Sequence, residues 1–204
     1  MVQKSGRGRR SIRLQTYDYS RGGGYFITTC TQKRVSLFGE ILPSSQHPEG
    51  ITTMQCNEWG AIVSDHWRGL AELHPNICLD DYVVMPNHFH GILIFTDHLN
   101  DFSGGNACVD RKIPTRRNMA VPKLIGRFKM QTAKAINALR GTPGVTVWQR
   151  NYWEHIIRDE SEWMILREYI LNNPAKWEQD RLNDQGMDFH VHEDVATYGR
   201  KVFP

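Results

Sequence analysis

The 204-residue sequence predicts an α+β domain whose elements run strand, helix, strand, strand, helix, strand, helix. Three observations predict it. Runs dense in β-branched and aromatic residues, at positions 25–31, 77–85 and 88–95, read as strands. In the segments between and after them, apolar residues recur at helical spacing. A chain of this length with 40% hydrophobic residues can bury one core of ordinary size.

Residues 1–22 form a basic N-terminal arm, with Lys4, Arg7, Arg9, Arg10 and Arg13 and no acid in the first thirteen positions. Such an arm contacts nucleic acid or is simply a solvated tail. Gly22-Gly23-Gly24 breaks the chain before the first strand, and positions 35–42 add a short strand or hairpin before a loop at 43–50. Asn57 is placed to cap a helix carrying Trp59, Ile62, Val63, His66, Trp67 and Leu70, ending near Pro75. His66 lies beside that apolar stripe and reads as a packed histidine. Pro86-Asn87 turns the second strand into the third, making a hairpin that puts the start of the third strand near a sheet edge or cleft.

A polar loop spans 97–120, and Pro122 opens a helix in a first-turn position. Leu124, Ile125, Phe128, Ile136 and Leu139 form its buried stripe, and Gly141 and Pro143 end it. A fourth strand is expected at 145–149, followed by a segment, Trp148 to Trp153, that mixes aromatics with Arg150. These rings suit base stacking, or they are core. Asp159 or Ser161 caps the last helix, which ends at Asn172-Asn173-Pro174. From 178 to 204 the chain reads as an acidic tail with weak structure.

The net charge of +3 hides an asymmetry. Arg111, Lys112, Arg116, Arg117, Lys123, Arg127, Lys129, Lys134 and Arg140 follow one another with no acid between them. A one-signed run of this kind suggests a polyanion surface. No apolar run approaches a membrane span, and no secretory signal is seen at the N-terminus. Cys30, Cys56, Cys78 and Cys108 are scattered and read as free thiols of a reducing cytoplasm.

Two pairs carry chemistry. His88 and His90 sit at i and i+2 of a strand, so both imidazoles face one side. They are either core histidines or a metal-binding pair. Tyr169 and Asn173 lie one helical turn apart and share a face, so a phenol and an amide oxygen address one point.

Met-Pro-Asn-His-Phe-His at 85–90, followed far downstream by Tyr-Ile-Leu-Asn-Asn-Pro at 169–174, resembles the REP-associated tyrosine transposases. These are IS200-like members of the HUH (His-hydrophobe-His) single-tyrosine transposases. Arg9 to Arg13, Tyr25 to Thr28, Leu37 to Glu40, Trp148 to Glu160 and Glu168 to Trp177 support the likeness in the same order along the chain.

The resemblance implies a ferredoxin-like βαββαβ core with an antiparallel sheet and a C-terminal catalytic helix, the transposase domain covering 23–177. It implies His88, His90 and Asn173 as ligands of Mg²⁺ or Mn²⁺, and Tyr169 as nucleophile. The partner it implies is single-stranded DNA with a hairpin, a REP-like palindrome, cut through a 5′-phosphotyrosine intermediate. DNA contacts are expected from Arg9, Arg10, Arg13, Arg116, Arg117, Lys123, Arg127, Lys129, Lys134 and Arg150. The expected location is the bacterial cytoplasm at the nucleoid, and the expected state a monomer, with a dimer as the alternative. Two other readings are a hairpin-binding protein that does not cut and a metal-dependent hydrolase that uses water in place of Tyr169.

Overall fold

The computed structural model describes residues 23–43, 45, 51–95 and 120–183. Among the described residues, six strands and three α-helices follow in the order β1 (Gly23–Cys30), β2 (Gly39–Leu42), β3 (Thr53–Cys56), α1 (Glu58–Leu73), β4 (Ile77–Val84), β5 (His88–Phe95), α2 (Ala120–Leu139), β6 (Trp153–Ile157) and α3 (Glu160–Asn172). Four strands make the main sheet, in the order β4-β5-β1-β6, and every neighbouring pair is antiparallel. With β2 and β3 set aside as a separate hairpin, this is the α+β strand order of a ferredoxin-like βαββαβ core. The expected short strand or hairpin after β1 is β2 paired with β3.

Strand pairing decides what each sheet face carries, because directly paired residues point to one side. Tyr25, Ile27, Phe89 and Leu93 pack with Val63, Trp67, Leu124, Ile125 and Phe128 of α1 and α2. Phe26, Ile92, Ile94 and Ile157 face the other way, against Trp163 and Ile170 of α3. The sheet is thus sandwiched between α1 and α2 on one side and α3 on the other. All eight residues of β5 are buried, as expected for a central strand covered on both faces. Of the two positions expected for the start of this strand, a sheet edge or a cleft, the sheet edge is thereby excluded. Gly91 fits there because the Trp67 ring crosses it: a Cβ would stand 2.7 Å from Trp67 Cζ2 and 2.8 Å from Phe89 Cζ. Overpacking of this kind costs about 1–3 kcal/mol.

The caps follow the sequence. Asn57 Oδ1 accepts from the amides of Trp59 and Gly60, and Asp159 Oδ1 from that of Glu162. The fourth core strand does not. Residues 145–149 make only an isolated bridge, Thr31 with Trp148, and Trp148 is instead a core indole whose Nε1 donates to Thr132 Oγ1 at 2.9 Å. β6 takes the place beside β1 because Trp153, His155 and Ile157 alternate with Glu154 and Ile156 in register with Thr28, Phe26 and Gly24. Leu139, expected in the core, is 54% exposed at the C-terminal end of α2. Cys78 is disulfide-bonded, which corrects its reading as a free thiol. Cys30 and Cys56 are free.

The chain stays folded after α3. Residues Pro174–Gln179 and Arg181–Asn183 form 3-10 helices, so the segment read as a tail from 178 is ordered up to Asn183. The basic arm, the loop from 97 to 119, Cys108 and the rest of the acidic tail lie outside the described residues.

Candidate metal centre

His88 and His90 project from β5 onto the α3 side of the sheet, their rings 4.6 Å apart between centroids. Each has its Nδ1 taken up by a neighbour. Asn87 Nδ2 donates to the carbonyls of Arg34 (3.1 Å) and Leu182 (2.6 Å), which orients the amide. Its Oδ1 can only accept, so His88 Nδ1 donates to it at 2.8 Å. Thr28, the strand partner of His90, holds His90 Nδ1 through Oγ1 at 2.7 Å. His88 Nε2 then carries a lone pair, the usual arrangement for a histidine metal ligand, whereas the Thr28 hydroxyl can either donate to His90 Nδ1 or accept from it.

The surroundings of the His88 lone pair are acceptors too. His88 is fully buried and its Nε2 has no hydrogen-bond partner among the described residues. Asp180 Oδ2 stands 3.7 Å from it, while Asp180 Oδ1 accepts from the amide of Leu182 at 2.8 Å. Burial pushes the His88 imidazole down to about 3, against an opposing contact from the Asn173 side chain. Burial likewise lowers His90, and the neighbouring His88 lowers it further. A neutral imidazole and a carboxylate then present two electron-rich atoms to each other. Asn173 is 2% exposed, and its Oδ1 is also without a partner among the described residues. Ligand atoms of His88, His90 and Asp180 all lie within 4.8 Å of one another. Two partnerless buried acceptors, His88 Nε2 and Asn173 Oδ1, with the Asp180 carboxylate beside them, fit a cation.

Tyr169 completes the group. Its hydroxyl lies 3.3 Å from His90 Nε2, and its ring meets Phe26 edge-on, with centroids 5.9 Å apart. Phe26 in turn stacks on His90 at 5.2 Å. α3 is aimed by a bulge in β4: pairing skips between Leu79 and Tyr82, and the extra residue turns Asp80 and Asp81 toward the helix. Trp163 Nε1 donates to Asp80, and Arg167 bridges Asp80 at 3.3 Å and Asp81 at 2.9 Å.

Asp180 was not legible as a site residue, being one of ten acids between 159 and 194 with no distinguishing spacing. Arg34 gave no signal either. It is 3% exposed, has φ 54°, and donates from Nη1 to the carbonyl of Arg181 at 3.0 Å, which helps pin the Asp180 segment. His66 donates through Nδ1 to the Ile62 carbonyl at 2.9 Å, a packed histidine as expected.

The cations expected to meet DNA separate into groups. Arg9, Arg10, Arg13, Arg116 and Arg117 lie outside the described residues. Lys123, Arg127 and Lys134 are exposed on α2, in the helix layer across the sheet from the histidines. Lys129 is not on that exposed stripe: its ammonium donates to the carbonyls of Gln149 (2.6 Å), Arg150 (3.2 Å) and Asn151 (3.0 Å). Burial pushes it down to about 8, opposed by Cys30. Arg150 is exposed at the histidine end of the sheet, since the neighbouring Gln149 amide donates to the Cys30 carbonyl and Cys30 pairs with His88.

No family model matches the chain. An uncharacterized protein of Haemophilus influenzae strain Rd is 35% identical over 180 residues, 85% of this chain and 92% of the relative. A second protein of that strain, provisionally named a REP-associated tyrosine transposase, is 23% identical over 78% of this chain and 74% of the relative. Among solved structures, a REP-associated tyrosine transposase bound to a REP hairpin superposes with a TM-score of 0.47 at 21% identity, covering 94% of this chain and 88% of the other. A transposase-like protein of Deinococcus radiodurans R1 gives 0.42 at 16% identity, covering 78% and 95%. The chain belongs to one family with the 35%-identical Haemophilus influenzae protein, and the named relative it resembles in sequence is a REP-associated tyrosine transposase.

Proposed function

We propose that the protein is a single-stranded DNA endonuclease and strand transferase acting at hairpin-forming palindromes, with Tyr169 as nucleophile. The observation that carries this is the Tyr169 hydroxyl 3.3 Å from His90 Nε2, within the candidate metal centre of the same chain. His88, His90 and Asp180, with Asn173 beside them, would hold Mg²⁺ or Mn²⁺, which when bound neutralises charge on a nonbridging phosphate oxygen. The sequence resemblance supplied Asn173 as third ligand; the geometry supports Asp180 as a further one.

The chain's own groups do the rest. Phe26 and the α3 anchor hold the phenol against the imidazole pair. The phenol oxygen forms a bond to phosphorus as the bond from phosphorus to the 3′-oxygen breaks. The phenol proton leaves to solvent, and the departing oxygen takes one up as a free 3′-hydroxyl. The 5′-phosphotyrosine left behind stays open to attack by a second 3′-hydroxyl, which reseals a strand. Arg150 is placed for phosphates near the site, whereas Lys123, Arg127 and Lys134 suit a more distant part of the hairpin. The Arg167 bridges to Asp80 and Asp81 favour Tyr169 acting on its own sheet, and so a monomer. Such a reaction belongs in the cytoplasm with the chromosome.

The test uses hairpin DNA with a single-stranded flank and Mn²⁺. Wild type forms a denaturant-stable adduct, and Tyr169→Phe forms none while binding Mn²⁺ with unchanged affinity. An adduct in the variant overturns the proposal. A second reading, a hairpin binder that does not cut, draws on the near-complete burial of both histidines, His88 being 0% and His90 2% exposed, with Trp177 of the 174–183 segment 5.9 Å from the His88 ring. It predicts hairpin binding without cleavage in any divalent metal.

A further inference from the structure

We propose that Trp153 and His155 form a nucleobase subsite that holds one unpaired base of the DNA strand beside Tyr169. The inference rests on the function proposed above and adds a contact that the chemistry does not use.

Thr28 lies between His90 on one side and Trp153 on the other, and Phe26 between Ile92 and His155. Trp153 and His155 therefore stand on the catalytic face, two strand spacings from His90, about 10 Å. Their rings are parallel within 7°, with centroids 5.6 Å apart. The imidazole is held from beneath: His155 Nε2 bonds Glu162 Oε1 at 2.5 Å, and Glu162 Oε2 accepts from the Arg158 amide at 2.7 Å. Glu162 is 4% exposed, so this brace is fixed within the α3 layer. Phe26 meets the edges of both Trp153 (6.0 Å) and Tyr169 (5.9 Å), linking the plate to the phenol.

The plate is also reachable. β6 is the last strand of its sheet, and no strand among the described residues pairs with its outer side. Ile156 and Ile157 are buried, whereas Trp153 and His155 are partly exposed, with 25% of the His155 side chain in solvent. A flat, partly exposed indole backed by a braced imidazole is the surface that unpaired bases stack on, with little regard for base identity. The exposed Arg150, three residues earlier, supplies a cation for the same nucleotide's phosphate.

The test uses hairpin DNAs with an abasic site at each position of the single-stranded flank, and the equilibrium is read by fluorescence anisotropy without divalent metal. One abasic position is expected to weaken wild-type binding about 5- to 150-fold. Trp153→Leu should weaken binding to intact DNA similarly and show no further loss at that position, while Trp153→Tyr restores most of the affinity. Equal binding by wild type and Trp153→Leu, or fully additive losses, overturns the subsite. Should Trp153→Leu fail to fold, 5-iodouracil photocrosslinking of wild type decides: a crosslink in the peptide carrying Trp153 supports the proposal, and crosslinks only elsewhere overturn it. Adduct formation through Tyr169 without this base contact sinks the subsite alone, whereas the contact without any adduct sinks the enzymatic reading.

Discussion

Replacing Asn87 by alanine removes three buried hydrogen bonds: from His88 Nδ1 at 2.8 Å, to the Arg34 carbonyl at 3.1 Å and to the Leu182 carbonyl at 2.6 Å. Asn87 is fully buried, so water cannot readily replace them. At roughly 1 kcal/mol net per bond, the loss of stability is about 3 kcal/mol, or a fall in Tm of about 6–12 °C for a domain of this size. The functional effect is separate. Without the Asn87 oxygen, His88 Nδ1–H has no acceptor, and the segment carrying Asp180 loses one of its ties. Loss of an outer partner of a metal-binding histidine typically weakens metal affinity about 10–100-fold. Urea titration reads the first effect, and calorimetric Mn²⁺ titration at a temperature where the variant is folded reads the second. A folded Asn87→Ala protein that binds Mn²⁺ like wild type would refute the argument that this amide sets the histidine's orientation.

Asp180→Ala should weaken Mn²⁺ binding by about 10-fold or more, and equal affinity in wild type and variant would remove Asp180 from the ligand set; the same titration on Asn173→Ala ranks the two. Lys129→Met should destabilise the protein by about 2–3 kcal/mol, because three carbonyls lose a shared donor; a variant of unchanged urea midpoint but weakened DNA binding would return Lys129 to the DNA surface. Changing Lys123, Arg127 and Lys134 to Gln should lower the slope of log K against log salt by about 0.7–0.9 for each phosphate no longer neutralised, with little effect on adduct formation at saturating DNA. An unchanged slope would take DNA off the exposed face of α2.

What backbone periodicity controls could be read from the residues alone. A two-residue repeat put His88 and His90 on one side of a strand, a four-residue step put Tyr169 and Asn173 on one side of a helix, Asn57 marked one helix start, and Asp159 or Ser161 marked another. These relations span about one turn or less, so local geometry settles them. Packing across the whole fold sets which distant residues meet. Asp180 comes to His88 from far along the chain, held by Arg34 and Asn87, and nothing local separates it from its neighbouring acids. The choice of 153–157 over 145–149 as the fourth core strand turned on register with β1 and on where the Trp148 indole could bury and find a hydrogen-bond acceptor. Lys129 looked like its neighbours in a basic run until three carbonyls were folded around it. Such contacts depend on packing between elements far apart in the chain, and that information is carried by the whole fold and not by any one stretch of it.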